Sequence, residues 1–548
     1  MLRTRVLGLV TLVLFLGGFQ TIKAQTDRAT LEGTVKDPSG AILAGAKVRV
    51  TDTATAQSQE RKTNEYGAYR FPGLANGNYV VEVSHDGFAS KLIEDVMLQV
   101  GETHTLDIPL QIGNVEERVD VRAETEPVER STAESAAVIR DDQVDNLPTN
   151  GRNWATLTML APWAQDDGGG DQRTIRFAGR ARDDNSFQID GVDSTGIQEQ
   201  AQKSTTRLQI SEDAIAEYRV DSALYDAEYG SQAGGQVNVV TKSGTNDFHG
   251  TVFGYLRNQV LDARNFNDFD PLTGNPFRPP FRLGQYGMTF GGPIKKDKTF
   301  FFLNYEGLRQ LQALSHQASV PDPGLQQAIL QNSPVLCPIL QAWPWRQSAA
   351  AANEALGCPG QHVFPDSQFD INGTGTPFDP ANPATTGIDT FTHQADTIIH
   401  EDTWMARLDQ RFSESTTLYA RAQRDVALTK APLGAALDQQ GVFNHPANYL
   451  IALEHLFSPN LLNVAKFGLN RSPFHNPQIC NFALAVNTDN FEPLNNCNTD
   501  NEVGTTLSFV DDLTITHGRH TFKTGVEYRR VRLNQGITAD NTITFTDT

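Results

Sequence analysis

The 548-residue sequence has little of what marks nucleic-acid-binding proteins or helical membrane proteins. It contains four cysteines, five tryptophans and five methionines, and its one long apolar run, residues 6–19, is too short to span a bilayer as a helix. Acidic residues outnumber basic ones by 65 to 45, and we find no cluster of Lys and Arg. No nucleic-acid partner is therefore expected, because phosphate binding needs a basic patch.

Catalytic and metal-binding motifs are incomplete. His400 and Glu401 begin the H-E-x-x-H pattern of zinc proteases, but Trp404 occupies the position of the second histidine. Residues 230–234 have the wrong spacing for a nucleophile elbow, and the acidic run at 166–171 lacks the bidentate Glu of a calcium loop. We therefore expect no enzyme activity, no bound metal and no cofactor.

The amino terminus predicts export. Arg3 and Arg5 precede the apolar run, and the run is followed by Ala24, after which cleavage is expected. Residues 1–24 are therefore interpreted as a signal peptide.

The four cysteines fall in two pairs, each inside one long polar connection. An exported chain meets an oxidising compartment, which favours disulfide formation within each pair, and four free thiols are the alternative. The disulfide candidates are Cys337 with Cys358 and Cys480 with Cys497.

From residue 247 onward, apolar and polar residues alternate with the period of a β-strand. Between residues 403 and 412, Trp404 and Leu408 lie on one face, and Arg407 lies on the other. The connections alternate between tight turns, at 413–415 and 458–460, and long polar segments, at 258–284, 308–401, 426–445 and 473–504. This pattern predicts an antiparallel transmembrane β-barrel, and a soluble sheet with one wet face is the alternative.

Short strands between turn signals predict a small antiparallel β-sandwich near the amino terminus. The patterns G-x-V-x-D at 33–37, G-x-Y-x-F at 67–71, G-x-Y at 77–79 and Gly-Phe at 87–88 resemble the carboxypeptidase regulatory-like domain. The resemblance implies a non-catalytic sandwich over residues 27–112.

The segment that follows is similar to Oar-like TonB-dependent receptors. The similarity lies in L-P-T-N-G-R-N-W at 147–154, F-Q-I-D-G-V at 187–192 and the run G-G-Q-V-N-V-V-T-K-S-G-T-N at 234–246. It implies an α+β plug domain at 131–246 ahead of a barrel at 247–548, in a mainly β protein of the Gram-negative outer membrane. We expect the polar plug motif to make structural hydrogen bonds rather than ligand contacts; it comprises Asn150, Gly151, Arg152, Asn153, Asp190 and Gly191.

The connector at 113–130 has two interpretations. Alternating valines in a polar stretch are typical of a last strand of the sandwich or of a linker. The resemblance instead implies a TonB box that pairs with TonB by strand addition, TonB acting with its inner-membrane energising complex. The candidate box residues are Val115, Glu116, Glu117, Val119 and Val121.

Two hypotheses for function remain. The first is energy-coupled uptake of a large nutrient, and the second is a surface protein that binds a partner or adheres without transport. Trp343 and Trp345 offer aromatic faces in a long outer connection, so an extracellular ligand such as an oligosaccharide is expected there, although both side chains could instead anchor the loop.

The strand count bears on completeness. We count about nine strands, whereas plugged barrels of outer-membrane transporters have about 22. We therefore expect the N-terminal part of such a barrel, surrounded by outer-membrane lipid, in the form of an open sheet with an unpaired edge.

Overall fold

The computed structural model describes residues 28–545 with internal gaps. The gaps are 114–117, 123–134, 150, 167–173, 182–183, 196–209, 224, 226–228, 230–232, 265, 267, 270–274, 322, 334–387, 434–437, 480–484, 489–498, 519 and 539–541. The predicted signal peptide lies outside the described residues, as do all four cysteines, Trp343 and Trp345. Over the described ranges, no helix has the length and apolar character needed to cross a bilayer.

The N-terminal unit, which we call the sandwich, consists of two packed sheets. Its strands are β1 (Ala29–Lys36), β2 (Lys47–Asp52), β3 (Ser58–Lys62), β4 (Ala68–Leu74), β5 (Gly77–Ser84), β6 (Ser90–Leu98), β7 (Thr103–Thr105), β8 (Ile108–Pro109) and β9 (Arg118–Arg122). One sheet has the order β4-β1-β7 with β8 also on β1, and the other has the order β3-β2-β5-β6-β9. The alternate apolar residues of both sheets form one core, which includes Leu31, Val48, Phe71 and Val81.

The G-x-V-x-D pattern has a structural explanation in this unit. A Cβ at Gly33 would lie 1.9 Å from the carbonyl oxygen of Leu106, so only glycine fits where the two segments cross. The carboxylate of Asp37 accepts hydrogen bonds from the backbone N–H groups of Ser39 and Ala41 at 2.9 and 2.8 Å. These contacts close the turn after β1, as expected for an Asx turn.

A second unit, which we call the central unit, spans the described residues between 135 and 246. Its strands are β10 (Ser135–Arg140), β11 (Ala164–Asp166), β12 (Ile175–Phe177), β13 (Ser186–Ile189), β14 (Val192–Asp193), β15 (Ile215–Ala223) and β16 (Gln236–Thr241). The main sheet has the order β10-β15-β16-β13-β14, and β11 pairs with β12. An α-helix at Asp141–Asn146 and 3-10 helices at Trp154–Leu160 and Glu212–Ala214 complete it. All six residues of β16 are buried, because the sheet packs against these helices on one face and against the third unit on the other.

The third unit, which we call the large sheet, is an antiparallel meander. Its strands are β17 (His249–Asn258), β18 (Phe281–Lys295), β19 (Thr299–Pro321), β20 (Ile388–Ser413), β21 (Thr416–Leu433), β22 (Asp438–Asn444), β23 (Ala447–Ser458), β24 (Leu461–Ile479), β26 (Thr499–His517) and β27 (His520–Thr538). Short strands β25 (Ala485–Thr488) and β28 (Thr542–Phe545) pair separately, and helices lie at Gln259–Leu261 and Pro323–Asn332. β22 and β23 pair with the same two neighbours, so they are one strand interrupted at 445–446. The sheet is open, running from β17 to β27.

The predicted alternation of faces is confirmed in this sheet. Trp404, Leu408 and Phe412 are 42%, 45% and 64% exposed on the outer face, while Met405 and Arg407 on the inner face are buried under the central unit. The tight turns lie where they were predicted, because β20 ends at Ser413 before β21 begins at Thr416, and β23 and β24 meet likewise. We call this side of the sheet the turn end.

The predicted bounds of three long connections are wrong. β19 continues to Pro321 and β20 already begins at Ile388, so the connection predicted at 308–401 is much shorter. The connections predicted at 426–445 and 473–504 are also shorter, because the strands on both sides of each one extend into it. The strands extend further because antiparallel pairing requires only backbone hydrogen bonds. Their ends have the polar composition that is typical of loops, so the sequence pattern did not predict them as strand.

The outer face has the dimensions of a membrane band. Aromatic pairs Trp404 and Phe412 on β20, and Tyr449 and Phe457 on β23, are each eight residues apart. This spacing corresponds to about 26 Å along a strand and about 20 Å in height after a tilt of about 40°. Aromatic residues at both borders of such a band are typical of outer-membrane barrels.

Candidate functional site

The candidate site is the interface between the central unit and the inner face of the large sheet. The alternation of the strands brings buried polar side chains to this face where a soluble protein would bury apolar ones. They are Gln285, Asn304, Glu306, Arg407, Arg421, Asn448, Lys466 and Asn470.

Asp190 and Gly191 form the tight turn between β13 and β14. Ile189 pairs with Val192, and the two turn residues have φ angles of 52° and 73°. Positive φ at both central residues defines a type I′ hairpin, which explains the Asp-Gly sequence. The hairpin projects the Asp190 side chain towards the large sheet.

The Asp190 carboxylate is fully buried and is held by both units. It accepts hydrogen bonds from the backbone N–H and the hydroxyl of Thr241, each at 2.9 Å, and from Nε of Arg421 at 2.6 Å. Nη1 of Arg407 lies 3.6 Å away, and the ammonium group of Lys466 donates to the Asp190 carbonyl oxygen at 3.3 Å. We call these residues the Asp190 cluster.

The two arginines of the cluster differ in their other partners. Arg421 donates to the carbonyl oxygen of Ile189 at 3.3 Å and to the side chain of Asn448 at 2.7 Å, both neutral acceptors. Arg407 pairs with Asp409 at 2.8 Å and lies 4.5 Å from the ring centre of Tyr419. Arg421 therefore depends on Asp190 for charge compensation much more than Arg407 does.

A second cluster surrounds Arg152, whose φ is 56°. Its guanidinium pairs with Asp213 at 2.6 Å and with Glu306 of the large sheet at 3.4 Å, and it lies 4.2 Å from the ring centre of Phe253. Gln285 of β18 donates to the carbonyl oxygen of Gly151 at 2.8 Å. The Gly-Arg segment of the predicted motif therefore contacts the large sheet.

Burial perturbs one acid at the border of this second cluster. Burial raises the pKa of Glu212 to about 7, against the opposing effect of Arg152. Glu212 also accepts a hydrogen bond from the Thr149 hydroxyl at 3.1 Å. The charge of this part of the interface therefore changes near neutral pH.

The other predicted residues have local roles or lie outside the described chain. Asn153 accepts the N–H of Ala155 at 3.2 Å and so caps the 3-10 helix that follows. Val119 and Val121 lie in β9, which pairs in parallel with β6 as the last strand of the sandwich sheet. Val115, Glu116, Glu117 and Asn150 lie outside the described residues.

The structure adds partners that the sequence did not single out, chiefly Arg421, Lys466 and Glu306. Their signal in the sequence is a charged residue on the inward face of an alternating strand. Among the described residues, no group of His, Cys, Asp or Glu is arranged to hold a metal ion.

Comparisons with known proteins agree with the sequence motifs. The model of the outer membrane beta barrel domain matches residues 240–548, and that of the carboxypeptidase regulatory-like domain matches residues 30–111. The TonB-dependent transporter Oar of Myxococcus xanthus is 28% identical over 310 residues, which are 52% of this chain and 28% of Oar. The resemblance predicted from the sequence is therefore confirmed, while the exact domain boundaries stay predictions.

Solved outer-membrane proteins are also similar. The transporter YddB from Escherichia coli has a TM-score of 0.48 and 10% identity, over 75% of this chain and 50% of its own. A ferric enterobactin receptor from Pseudomonas aeruginosa has a TM-score of 0.44 and 12% identity, over 73% and 50%. The chain thus spans about half the length of these structures and little more than a quarter of Oar. Because the barrel match covers more than half of its residues, the chain belongs to the outer membrane β-barrel domain family.

Proposed function

We propose that the protein is a TonB-dependent outer-membrane transporter in which the central unit is a movable plug. The observation that carries this proposal is the polar interface formed by the Asp190 cluster and the Arg152 cluster. A unit meant only to stabilise the sheet would bury apolar surface, since that is the larger source of stability. Hydrogen-bonded ion pairs contribute little net stability but fix one arrangement, and water can replace their partners when the plug moves.

The orientation follows from the proposed export signal. Residues 1–24 direct the chain across the inner membrane, the sandwich and the turn end face the periplasm, and the long connections face outside. An extracellular ligand then first meets the outer connections, where Trp343 and Trp345 present aromatic faces. We favour a neutral oligosaccharide, because the net charge of −20 disfavours strongly anionic ligands.

TonB is the proposed energising partner and Val115, Glu116, Glu117, Val119 and Val121 its proposed contact. β9 is an edge strand of its sheet, so an extended TonB segment has a backbone edge at which to pair. The relative named as a TonB-dependent transporter supports this partner.

The test measures uptake of fluorescent oligosaccharides, one neutral and one anionic series, in cells with and without TonB. The key variant replaces Val115, Val119 and Val121 by Asp, and its control replaces the same three by Thr, which keeps the β-branched shape. Uptake of the neutral series that requires TonB and is lost only in the Asp variant supports the proposal. Surface binding that is identical without TonB, with no entry, would instead establish a binding protein or adhesin.

A further inference from the structure

The sandwich is seated against the turn end of the large sheet. Arg28 forms an ion pair with Glu454 of β23, and both side chains are largely buried, at 13% and 14% exposed. The Asn64 side chain donates to the carbonyl oxygen of Gly518, in the turn between β26 and β27, at 3.3 Å. Together these contacts fix the sandwich at two separate positions along the turn end.

A third contact joins the sandwich to the end of the central unit. The backbone N–H of Asn246 donates to the carbonyl oxygen of Ala54 at 3.0 Å. A fourth contact is apolar, because Gly73 leaves room for the Leu462 side chain, whose Cδ2 would lie 2.4 Å from a Cβ at that position. Arg28 precedes β1, Ala54 and Asn64 lie in two different loops, and Gly73 lies in β4. The backbone N–H of Val100 adds a further contact to the central unit, because it donates to the Glu217 carboxylate. The sandwich is therefore docked rather than tethered at one point.

A partly open cavity of about 190 Å³ lies between the three units beside the Asp190 cluster. Asp52 and Tyr79 of the sandwich form one wall, Thr241 of the central unit a second, and Asp409 and Tyr419 of the large sheet a third. The space is lined by charged and hydroxyl groups and is large enough for several water molecules. At the turn end of the large sheet, the sandwich therefore lies between the Asp190 cluster and the surroundings.

The docking contacts are of a kind that can be released. The apolar core of the sandwich consists of its own residues alone, so the sandwich does not depend on the large sheet for its core. Polar contacts between units of one chain are typical of units that move relative to each other. An interface built from one ion pair, a few hydrogen bonds and one apolar contact holds the closed state, and water can replace its polar partners when it opens.

We propose that the sandwich is a releasable cap that closes the turn-end mouth of the barrel over the Asp190 cluster, with the Arg28–Glu454 pair as its latch. In the closed state the cap blocks the exit side of the plug, and its release is a step separate from plug movement. The biological meaning of this step rests on the proposed transport function, whereas the docking itself can be measured without ligand or TonB.

The test measures the distance between spin labels at Glu65→Cys in the sandwich and Lys296→Cys in a turn of the large sheet, with the four natural cysteines replaced by Ser. The protein is held in outer-membrane vesicles. R28E and E454R should each raise the undocked fraction by at least about tenfold, because each puts like charges in contact at a largely buried site. The swapped double variant R28E/E454R should restore the narrow distance distribution.

R49E is the matched control, because Arg49 pairs with Glu60 and Glu82 inside the sandwich and makes the same charge change away from the interface. Single variants with the wild-type distribution, or a double variant as broad as the singles, would overturn the latch. Wild-type amounts of every variant in the outer-membrane fraction, with wild-type protease resistance of the large sheet, separate undocking from misfolding.

A second measurement tests release. An R28C/E454C pair joined by a short bis-maleimide should stop uptake in a protein that transports, while each single Cys variant treated in the same way continues. Continued uptake by the crosslinked protein would refute release while leaving transport intact. Absence of uptake already in the wild type, with docking restored by the charge swap, would refute the proposed transport and leave the cap standing.

Discussion

Replacing Asp190 by Asn should loosen the central unit from the large sheet. The variant keeps the shape of the side chain and an oxygen that accepts the N–H of Thr241, but it removes the charge that compensates Arg421. Both Asp190 and the Arg421 side chain are fully buried, and the other acceptors of Arg421 that we describe are neutral. The change therefore leaves a buried cation without a counter-ion.

The expected magnitude follows from that geometry. Removing one partner of a buried ion pair costs about 3–5 kcal/mol, whereas removing both partners together is often nearly neutral. Since about 1.4 kcal/mol corresponds to a factor of ten, D190N should raise the population of the open hairpin by a factor between roughly 10² and a few times 10³. Arg407 moderates the effect only slightly, because it already has Asp409 as a partner.

Hydrogen exchange of the backbone amides in β13, β14 and their hairpin is a suitable assay, because the exchange rate reports local opening. In membranes, the hairpin amides of D190N should exchange roughly 10²-fold or more faster than in the wild type, and D190N/R421M should return close to the wild-type rate. D142N is the control, because the Asp142 carboxylate is exposed and pairs only locally with Arg140. A wild-type exchange rate in D190N would refute the view that this charge pair holds the central unit against the large sheet.

Three further predictions address the contact between the sandwich and the central unit, the cysteines, and the connection that contains Trp343 and Trp345. Burial raises the pKa of Glu217 to about 8 from an ordinary value near 4.5, and its carboxyl accepts the N–H of Val100 in the sandwich. The stability that it contributes is therefore fully present below pH 4.5 and is lost progressively as the pH rises to 8. Exchange at residues 96–104 should accelerate between about pH 5 and 8 after correction for intrinsic rates, but not in E217Q. Peptide mapping of exported, unreduced protein should find two disulfides, Cys337–Cys358 and Cys480–Cys497. Recovery of four alkylated thiols would contradict this prediction. The double replacement of Trp343 and Trp345 by Ala should abolish binding of a neutral oligosaccharide at the cell surface while the barrel remains heat-modifiable, and unchanged binding would exclude this connection as the site.

The sequence predicted those features that depend on local periodicity. Alternation assigned Leu408 to the outer face and Arg407 to the inner face, because the side-chain period of a strand is two whatever the strand contacts. The Asp-Gly pair at 190–191 is a local signal of the same kind, since few other residues adopt the backbone angles of this hairpin. The expectation that Asp190 makes structural hydrogen bonds rather than ligand contacts stays a prediction, and its hydrogen bonds to Thr241 and Arg421 agree with it.

The partners could not be predicted, because they depend on how distant segments meet. Arg421 is 231 residues from Asp190 along the chain. Alternation places Arg421 on the inner face of β21 and Arg424 on the outer face, but it does not indicate which residue of the central unit Arg421 contacts. For the same reason, the sequence did not decide whether the connector is a last strand, a linker or a TonB box. Its residues 118–122 pair with β6, which they can do because that edge of the sandwich sheet is free. Edge pairing is a property of the assembled sheet and leaves no unique mark on the sequence.

One short segment connects the central unit, the sandwich and the large sheet. At one end of residues 241–246, the Thr241 N–H is bonded to Asp190 of the central unit. At the other end, the Asn246 N–H is bonded to Ala54 of the sandwich, and its side chain donates to Asp297 in a turn of the large sheet at 2.7 Å. Five peptide units span at most about 18 Å, so a large displacement of one end moves the other. Undocking of the sandwich removes one of the contacts that hold this segment in place, and we therefore expect the Asp190 cluster to open at lower cost in the undocked state. If both steps occur, cap release comes first for this reason, and R28E should accelerate exchange at the hairpin even though Arg28 does not touch it.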